Sequence, residues 1–229
     1  MTKKQIALVL TGDEFADGGE VIRRALKQNH VPASFFLTGN FYADARFKGL
    51  IKGLKKDGHY LGAHSDRHLL YADWTKRGSL LVSRQEFNDD LLKNYERMAG
   101  FGIRRKDAPY FLPPYEWYNS TIAKWTDEMG LKLINFSPGT RSAADYTYPE
   151  MGAAYRPADE IYRSIIEKER TDTNGLNGFI LLVHIGTDPR RTDKFYNRLD
   201  ELLRELKSMG YSFVKLNDLM DDQPGFAKR

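Results

Sequence analysis

The 229-residue sequence contains no cysteine, which excludes disulfide bonds and thiolate metal sites. It also has no apolar run long enough to cross a bilayer, and Met1–Lys4 leads into an apolar segment without the hydrophobic stretch of a signal peptide. Repeats, low-complexity tracts and proline- or serine-rich linkers are absent as well. These absences predict no membrane span, one domain over residues 1–220 and a polar tail over 221–229.

The charge balance argues against nucleic acid as a partner. Lys and Arg total 35 and Asp and Glu total 31, a net charge of +4 with both signs interspersed and no basic stripe among stacking aromatics. The 41% apolar content is enough to bury a substantial core. Neither the compartment nor the oligomeric state can be deduced from this composition.

Short apolar runs alternate with segments of helical apolar spacing along the whole chain. This alternation is typical of α/β proteins with a mostly parallel sheet, either doubly wound or closed as a barrel, and we favour the barrel. The predicted strands are 5–11, 33–38, 60–63, 109–112, 131–136, 178–184 and 211–216. The predicted helices are 19–28, 47–56, 86–98, 119–128, 157–169 and 193–209.

Two of the five histidines, His64 and His68, stand in an H-S-x-x-H arrangement at the end of an apolar run. Imidazoles four residues apart can meet one divalent ion if the backbone is helical or tightly turned, and a carboxylate from elsewhere would complete a site that keeps a position for water. The alternative is two unrelated core or surface histidines, so the spacing alone favours a metal only moderately.

Other chemically capable side chains also follow predicted strands. The carboxyl ends of parallel strands meet on one face of a barrel, so we expect these side chains to converge there and form the functional site. An acidic turn that caps a helix, or a histidine that ends a buried strand, would be the alternative interpretation. The residues concerned are Asp13, Glu14, His64, His68, the 113–116 segment and His184.

In their order along the chain, these motifs resemble the polysaccharide deacetylases of carbohydrate esterase family 4. The resemblance covers nearly the whole chain, and it implies a distorted (β/α)7 barrel that removes acetyl groups from a sugar polymer with the help of a metal. The matching stretches are TGDE at 11–14, HSDRH at 64–68, FLPPYEWY at 111–118, ADY at 144–146 and ILLVHIG at 180–186.

The resemblance implies a role for each residue of the first two motifs. Asp13 matches the general base, while Glu14, His64 and His68 match the ligands of one divalent ion. Zinc is the first choice, because two imidazoles and a carboxylate suit it, and cobalt, nickel or iron would accept the same ligands. This chain departs from the family pattern in having Gly12 and Glu14 where the family has an aromatic residue and a second aspartate.

The later motifs carry the remaining roles that the resemblance implies. The backbone N–H of Tyr115 matches a group that stabilises the oxyanion, His184 matches the acid that protonates the leaving group, and Asp145 matches the aspartate that orients this histidine. Leu112 stands where the family has an arginine that pairs with the base. We therefore nominate Arg141, from another loop, as its replacement, although an ordinary solvated arginine is an equal alternative.

Aromatic residues near the motifs are candidates for stacking on sugar rings. Trp74 and Trp117, with Pro114, are the predicted substrate-binding residues, although core or rim packing is the more common role of each aromatic taken singly.

The predicted partner is an acetylated polysaccharide or oligosaccharide, with N- or O-linked acetyl groups. The rivals are a catalytically impaired, metal-containing barrel that binds glycan, and another metallohydrolase. A glycosidase is disfavoured, because the adjacent Asp13 and Glu14 are unlikely to straddle a glycosidic bond. The substrate class favours an exported location.

Overall fold

The computed structural model describes residues 4–221, which fold around a sheet of seven strands. All the strand pairs in this sheet are parallel, as expected for strands separated by helices. The strands are β1 (Gln5–Gly12), β2 (Ser34–Leu37), β3 (Tyr60–Ala63), β4 (Tyr110–Phe111), β5 (Lys132–Leu133), β6 (Phe179–His184) and β7 (Ser212–Val214).

The most central strand is β1, which hydrogen bonds with three others. The strand order is β5-β4-β3-β2-β1-β6, and β7 pairs with Gln5–Ala7 at the start of β1. Beyond β5, the chain returns to β6 where the Ser137 N–H donates to the Ile180 carbonyl at 3.0 Å and the Ile180 N–H donates to the Ser137 hydroxyl at 3.0 Å. The sheet therefore curls into a distorted barrel, which confirms the predicted fold class.

Amphipathic helices cover the outside of this sheet. Helix α1 (Gly19–Gln28) buries Ile22, Ala25 and Leu26, and helix α7 (Leu199–Ser208) buries four leucines. Almost every side chain of β1 is buried, as expected for a parallel strand covered on both faces. The helices are α1 (Gly19–Gln28), α2 (Gly39–Ala43), α3 (Lys48–Lys56), α4 (Arg84–Ala99), α5 (Ser120–Glu128), α6 (Ala158–Thr171), α7 (Leu199–Ser208) and α8 (Leu216–Asp221).

The predicted elements exist, and most of the differences are at their ends. The strand predicted at 131–136 is regular only over Lys132–Leu133, because the chain then bends towards β6. The helix predicted at 193–209 begins as a 3₁₀ turn over Phe195–Arg198. Short helices α2 and α8 were not predicted. Asp221 of the predicted tail ends α8, and the rest of the tail lies outside the described residues.

None of the helices within residues 4–221 has the length and apolar character needed to cross a membrane.

A buried asparagine on α4 connects the helix to two strand ends. The Asn94 Oδ1 accepts a hydrogen bond from the His64 N–H at 2.9 Å, and its Nδ2 donates to the Leu37 carbonyl at 3.2 Å. Asn94 is fully buried, so neither main-chain group has water as a substitute partner. This side chain therefore fixes the position of the main chain at His64, directly after the end of β3.

We expect Asn94→Ala to lower the free energy of unfolding by about 2–4 kcal/mol, since it leaves two buried main-chain groups without partners at about 1–3 kcal/mol each. Urea denaturation followed by circular dichroism measures the change. Asp89→Ala, on the exposed face of the same helix, is the matched control and should change stability by less than about 0.5 kcal/mol. Equal stability of the two variants would contradict the structural role of Asn94.

Candidate active site

A cleft of about 530 Å³ opens at the carboxyl ends of the strands. This is the face on which parallel barrels build their active sites. The structure brings most of the sequence-predicted site residues to this cleft. Those that line it are Asp13, Glu14, His64, His68, Trp74, Tyr115 and His184, while Asp145 lies directly behind His184.

The two histidines of the H-S-x-x-H motif converge, with ring centroids 5.1 Å apart. The His64 Nδ1 lies 2.8 Å from the Leu112 carbonyl oxygen, which can only accept a hydrogen bond, so Nδ1 carries the proton and Nε2 stays free. Burial, with a smaller contribution from His68, holds the pKa of His64 well below its ordinary value. His64 is therefore a neutral imidazole with one nitrogen available as a ligand.

The loop that carries these histidines is held by main-chain hydrogen bonds from α2. The Gly39 N–H donates to the Ser65 carbonyl at 2.9 Å, and the Asn40 N–H donates to the Asp66 carbonyl at 3.0 Å. Both Ser65 (φ 71°) and His68 (φ 55°) have positive φ, an uncommon conformation for such residues that is often found at functional sites. The His68 N–H donates to the Ser65 hydroxyl at 3.0 Å and stabilises the turn.

Two residues that the sequence did not suggest hold Asp13. The hydroxyl of the buried Thr38 donates to the Asp13 Oδ1 at 2.7 Å, and the Asn40 Nδ2 donates to the same oxygen at 3.2 Å. Because both bonds go to Oδ1, the other oxygen stays available to the cleft. The Thr38 hydroxyl also caps α2 by accepting from the Phe41 N–H. The only sequence feature that pointed to Thr38 and Asn40 is the T-G-N stretch at 38–40, directly after a strand.

His184 and Asp145 form a tightly bonded pair. The Asp145 Oδ1 lies 2.5 Å from the His184 Nδ1, and its Oδ2 accepts from the His184 N–H at 2.8 Å. Burial disfavours the imidazolium, but the charge and hydrogen bond of Asp145 outweigh it, so the pKa of His184 lies above its ordinary value. The ring thus presents Nε2 to the cleft, and Asp145 favours its protonated form.

The donor set fits a divalent ion in part. Two neutral imidazoles converge, and the charge of Asp13 acts on His68. Within residues 4–221, however, no three His, Asp or Glu side chains form a group with the geometry of metal ligands. Glu14 lines the same cleft as the two histidines, with an exposed side chain.

Three predicted residues lie away from the cleft surface. Arg141 is exposed beside α6, where its N–H donates to the Ser164 hydroxyl, so the prediction that it replaces the missing arginine at Asp13 is wrong. The Trp117 indole N–H donates to the Asp73 carbonyl at 3.3 Å and its ring packs behind Trp74. Pro114 is buried beneath the loop.

Aromatic side chains form the two walls of the cleft. On one side the ring of Trp74, 54% exposed, lies 5.6 Å from that of Tyr115, which in turn covers His68 at 4.4 Å. On the other side the exposed Tyr146 lies 5.3 Å from the His184 ring, and the Tyr148 ring carries the Arg190 guanidinium at 3.9 Å. Exposed aromatic walls of this kind suit the apolar faces of sugar rings.

Comparison with known proteins agrees with this geometry. The family model described as "Polysaccharide deacetylase" matches residues 2–134, which is more than half of the chain. The chain belongs to the polysaccharide deacetylase family. The peptidoglycan-N-acetylglucosamine deacetylase PgdA of Listeria monocytogenes is 28% identical over 228 residues, all of this chain. The chain spans only 41% of the length of that relative.

Solved structures of the family share the fold. The Bc1960 peptidoglycan N-acetylglucosamine deacetylase superimposes with a TM-score of 0.72 at 22% identity, over 95% of this chain and 88% of that one. BA3943 from Bacillus anthracis, described as a CE4 family pseudoenzyme, superimposes with a TM-score of 0.71 at 20% identity, over 95% of this chain and 66% of that one. The polysaccharide deacetylase fold is thus shared with active and inactive proteins alike.

The pKa of His184 can be measured by NMR titration. We expect Asp145→Asn to lower it, because burial, which disfavours the imidazolium, then acts without the opposing carboxylate. Glu150→Gln removes an exposed carboxylate outside the cleft and should leave the titration of His184 near that of the wild type. A pKa that Asp145→Asn leaves unchanged would contradict the pairing.

Proposed function

We propose that this chain is a metal-dependent deacetylase that removes N- or O-linked acetyl groups from a polysaccharide or oligosaccharide. The observation that carries the proposal is the arrangement of the cleft, where Asp13 and the converging His64 and His68 face the same space as the His184–Asp145 pair. Hydrolysis of an acetyl group needs a base for the attacking water and an acid for the leaving group, and these residues supply both.

In this proposal, Asp13 is the general base. Its Oδ1 is held by Thr38 and Asn40, and the free Oδ2 would take the proton of the attacking water. His184 is the general acid: Asp145 fixes its Nδ1, and Nε2 would give its proton to the leaving nitrogen or oxygen. The raised pKa of His184 keeps the acid form available near neutral pH. The oxyanion role of the Tyr115 N–H stays a prediction.

His64 and His68, with a carboxylate from Asp13 or Glu14, would hold the divalent ion, and zinc suits this donor set best. When bound, the ion would supply a Lewis acid that polarises the acetyl carbonyl and activates water. The neutral form of His64 and its bond to Leu112 support its use as a ligand.

The name of the Listeria relative suggests a polymer of N-acetylated amino sugars as the substrate. A cleft with aromatic walls would suit such a polymer. The rival is a barrel that binds glycan with little catalysis. Two observations favour this rival. A fully buried Leu112 stands where the family has the arginine that pairs with the base, and the side chain of Glu14 is exposed. Turnover distinguishes the two.

We expect the purified protein, loaded with zinc, to release acetate from at least one of chitin oligomers, acetylated xylan and peptidoglycan. Acetate is measured with a coupled enzymatic assay, and the same assay without protein is the control. Binding of these glycans without acetate release would support the glycan-binding rival and contradict the proposed activity.

The two proton-transfer roles predict matched losses. Asp13→Asn and His184→Gln should each lower kcat by roughly 10² or more, the range for a general acid or base, and should lower metal content much less than turnover. Glu150→Gln again serves as the control for removal of a nearby charge. Wild-type turnover in either variant would remove that residue from the mechanism.

Metal content provides a separate test that needs no substrate. Elemental analysis should find one divalent ion per chain in the wild type and a large loss in the double variant His64→Ala, His68→Ala. The single variant Glu14→Gln asks whether this carboxylate is the third ligand. Unchanged metal content in the double variant would place the ion elsewhere.

A further inference from the structure

Glu116 brings a carboxyl group into the cleft that none of the roles above uses. It lines the same space as His184 and Tyr146, and its charge acts on His184, whose Nδ1 is already held by Asp145. The cleft therefore has a second carboxyl group beside the proposed acid.

The backbone at Glu116 is strained and firmly anchored. Tyr115 (φ 59°) and Glu116 (φ 53°) are two consecutive non-glycine residues in the left-handed region, which is a strained combination for residues with a side chain. The Glu116 N–H donates to the Pro113 carbonyl at 3.0 Å, and its carbonyl accepts from the Asn135 Nδ2 at 2.8 Å. The surrounding structure thus holds this side chain in one place at a cost in stability.

The Glu116 carboxyl group itself has no hydrogen-bond partner among residues 4–221, unlike Asp13 and Asp145. Burial raises its pKa to about 7, with the charge of His184 acting in the opposite direction. A cleft-lining carboxyl group without a protein partner is available to pair with a group that enters the cleft.

We propose that Glu116 contacts the leaving group of the substrate and pairs with the ammonium group that deacetylation of an amino sugar releases. Removal of an acetyl group from nitrogen leaves an amine that is protonated near neutral pH, and a carboxylate binds this cation through charge-assisted hydrogen bonds. Removal from oxygen leaves a neutral hydroxyl group, which gains much less from the same partner. Glu116 therefore makes the cleft specific for N-acetylated amino sugars.

This inference rests on the proposed function for its account of the substrate, but its test needs no turnover. Isothermal titration calorimetry of the metal-loaded protein compares two ligands of equal length: the glucosamine tetramer, which carries ammonium groups, and xylotetraose, which is neutral. Glu116→Gln should weaken binding of the glucosamine tetramer by about tenfold or more, the range for a hydrogen bond to a charged group, and change binding of xylotetraose by less than about twofold.

Two further variants separate this role from a structural one. Glu116→Gly suits the positive φ and should reproduce the selective loss of the amino-sugar ligand. Glu150→Gln removes a carboxylate near the cleft and should bind both ligands like the wild type. Equal losses for both ligands, or wild-type binding of the glucosamine tetramer by Glu116→Gln, would overturn the proposal.

The two proposals fail in distinguishable ways. If the wild type releases no acetate but Glu116→Gln selectively weakens binding of the glucosamine tetramer, only the proposed enzymatic activity is contradicted. If acetate is released and Glu116→Gln binds the glucosamine tetramer like the wild type, only the proposed role of Glu116 is contradicted.

Discussion

The register of β1 with its neighbours is the constraint on which the rest of the cleft depends. Thr11 lies opposite both Phe36 of β2 and His184 of β6, and Gly12 lies opposite Leu37. The residues that come next, Asp13 and Thr38, therefore leave the sheet at the same level, and a 2.7 Å hydrogen bond joins them. Further along the same rung, Leu37 lies opposite Ala63, the residue before His64. A shift of one residue in this pairing would turn each of these side chains to the other face of the sheet.

The sequence predicted the strands and the convergence of their ends because both follow from apolar periodicity, a property of local stretches. It did not predict that Thr38 and Asn40 would hold Asp13, since this depends on the register between two strands, which periodicity leaves open. The nomination of Arg141 failed for a related reason. A position next to a functional residue in the chain does not fix the direction of a side chain, and a turn of the chain carries Arg141 to the outer side of α6. The sequence placed the 113–116 segment at the predicted site, but it indicated no role for the carboxyl group of Glu116, because the resemblance gives that position none.

Fold stability and site geometry share the same buried polar groups. Asn94 closes two strand ends and also fixes the main chain of His64, while the Thr38 hydroxyl caps α2 and also holds Asp13. Each hydrogen bond thus contributes to folding and to the geometry of the cleft, and substitutions at these positions will affect both. Asp13 is held here by two neutral donors, Thr38 and Asn40, rather than by a cation from position 112.

The buried position of Leu112 makes the loss of the family arginine hard to reverse. Its side chain is fully buried in the hydrophobic core, and its carbonyl accepts the bond that sets the tautomer of His64. An arginine introduced there would have to place a guanidinium among apolar side chains, where an unpaired charge is very costly, or push the loop aside and release the histidine. Single-site engineering towards the family consensus would therefore damage this protein. Variants of this chain therefore have to keep the neutral donors Thr38 and Asn40 at Asp13, unless several neighbours of Leu112 change together.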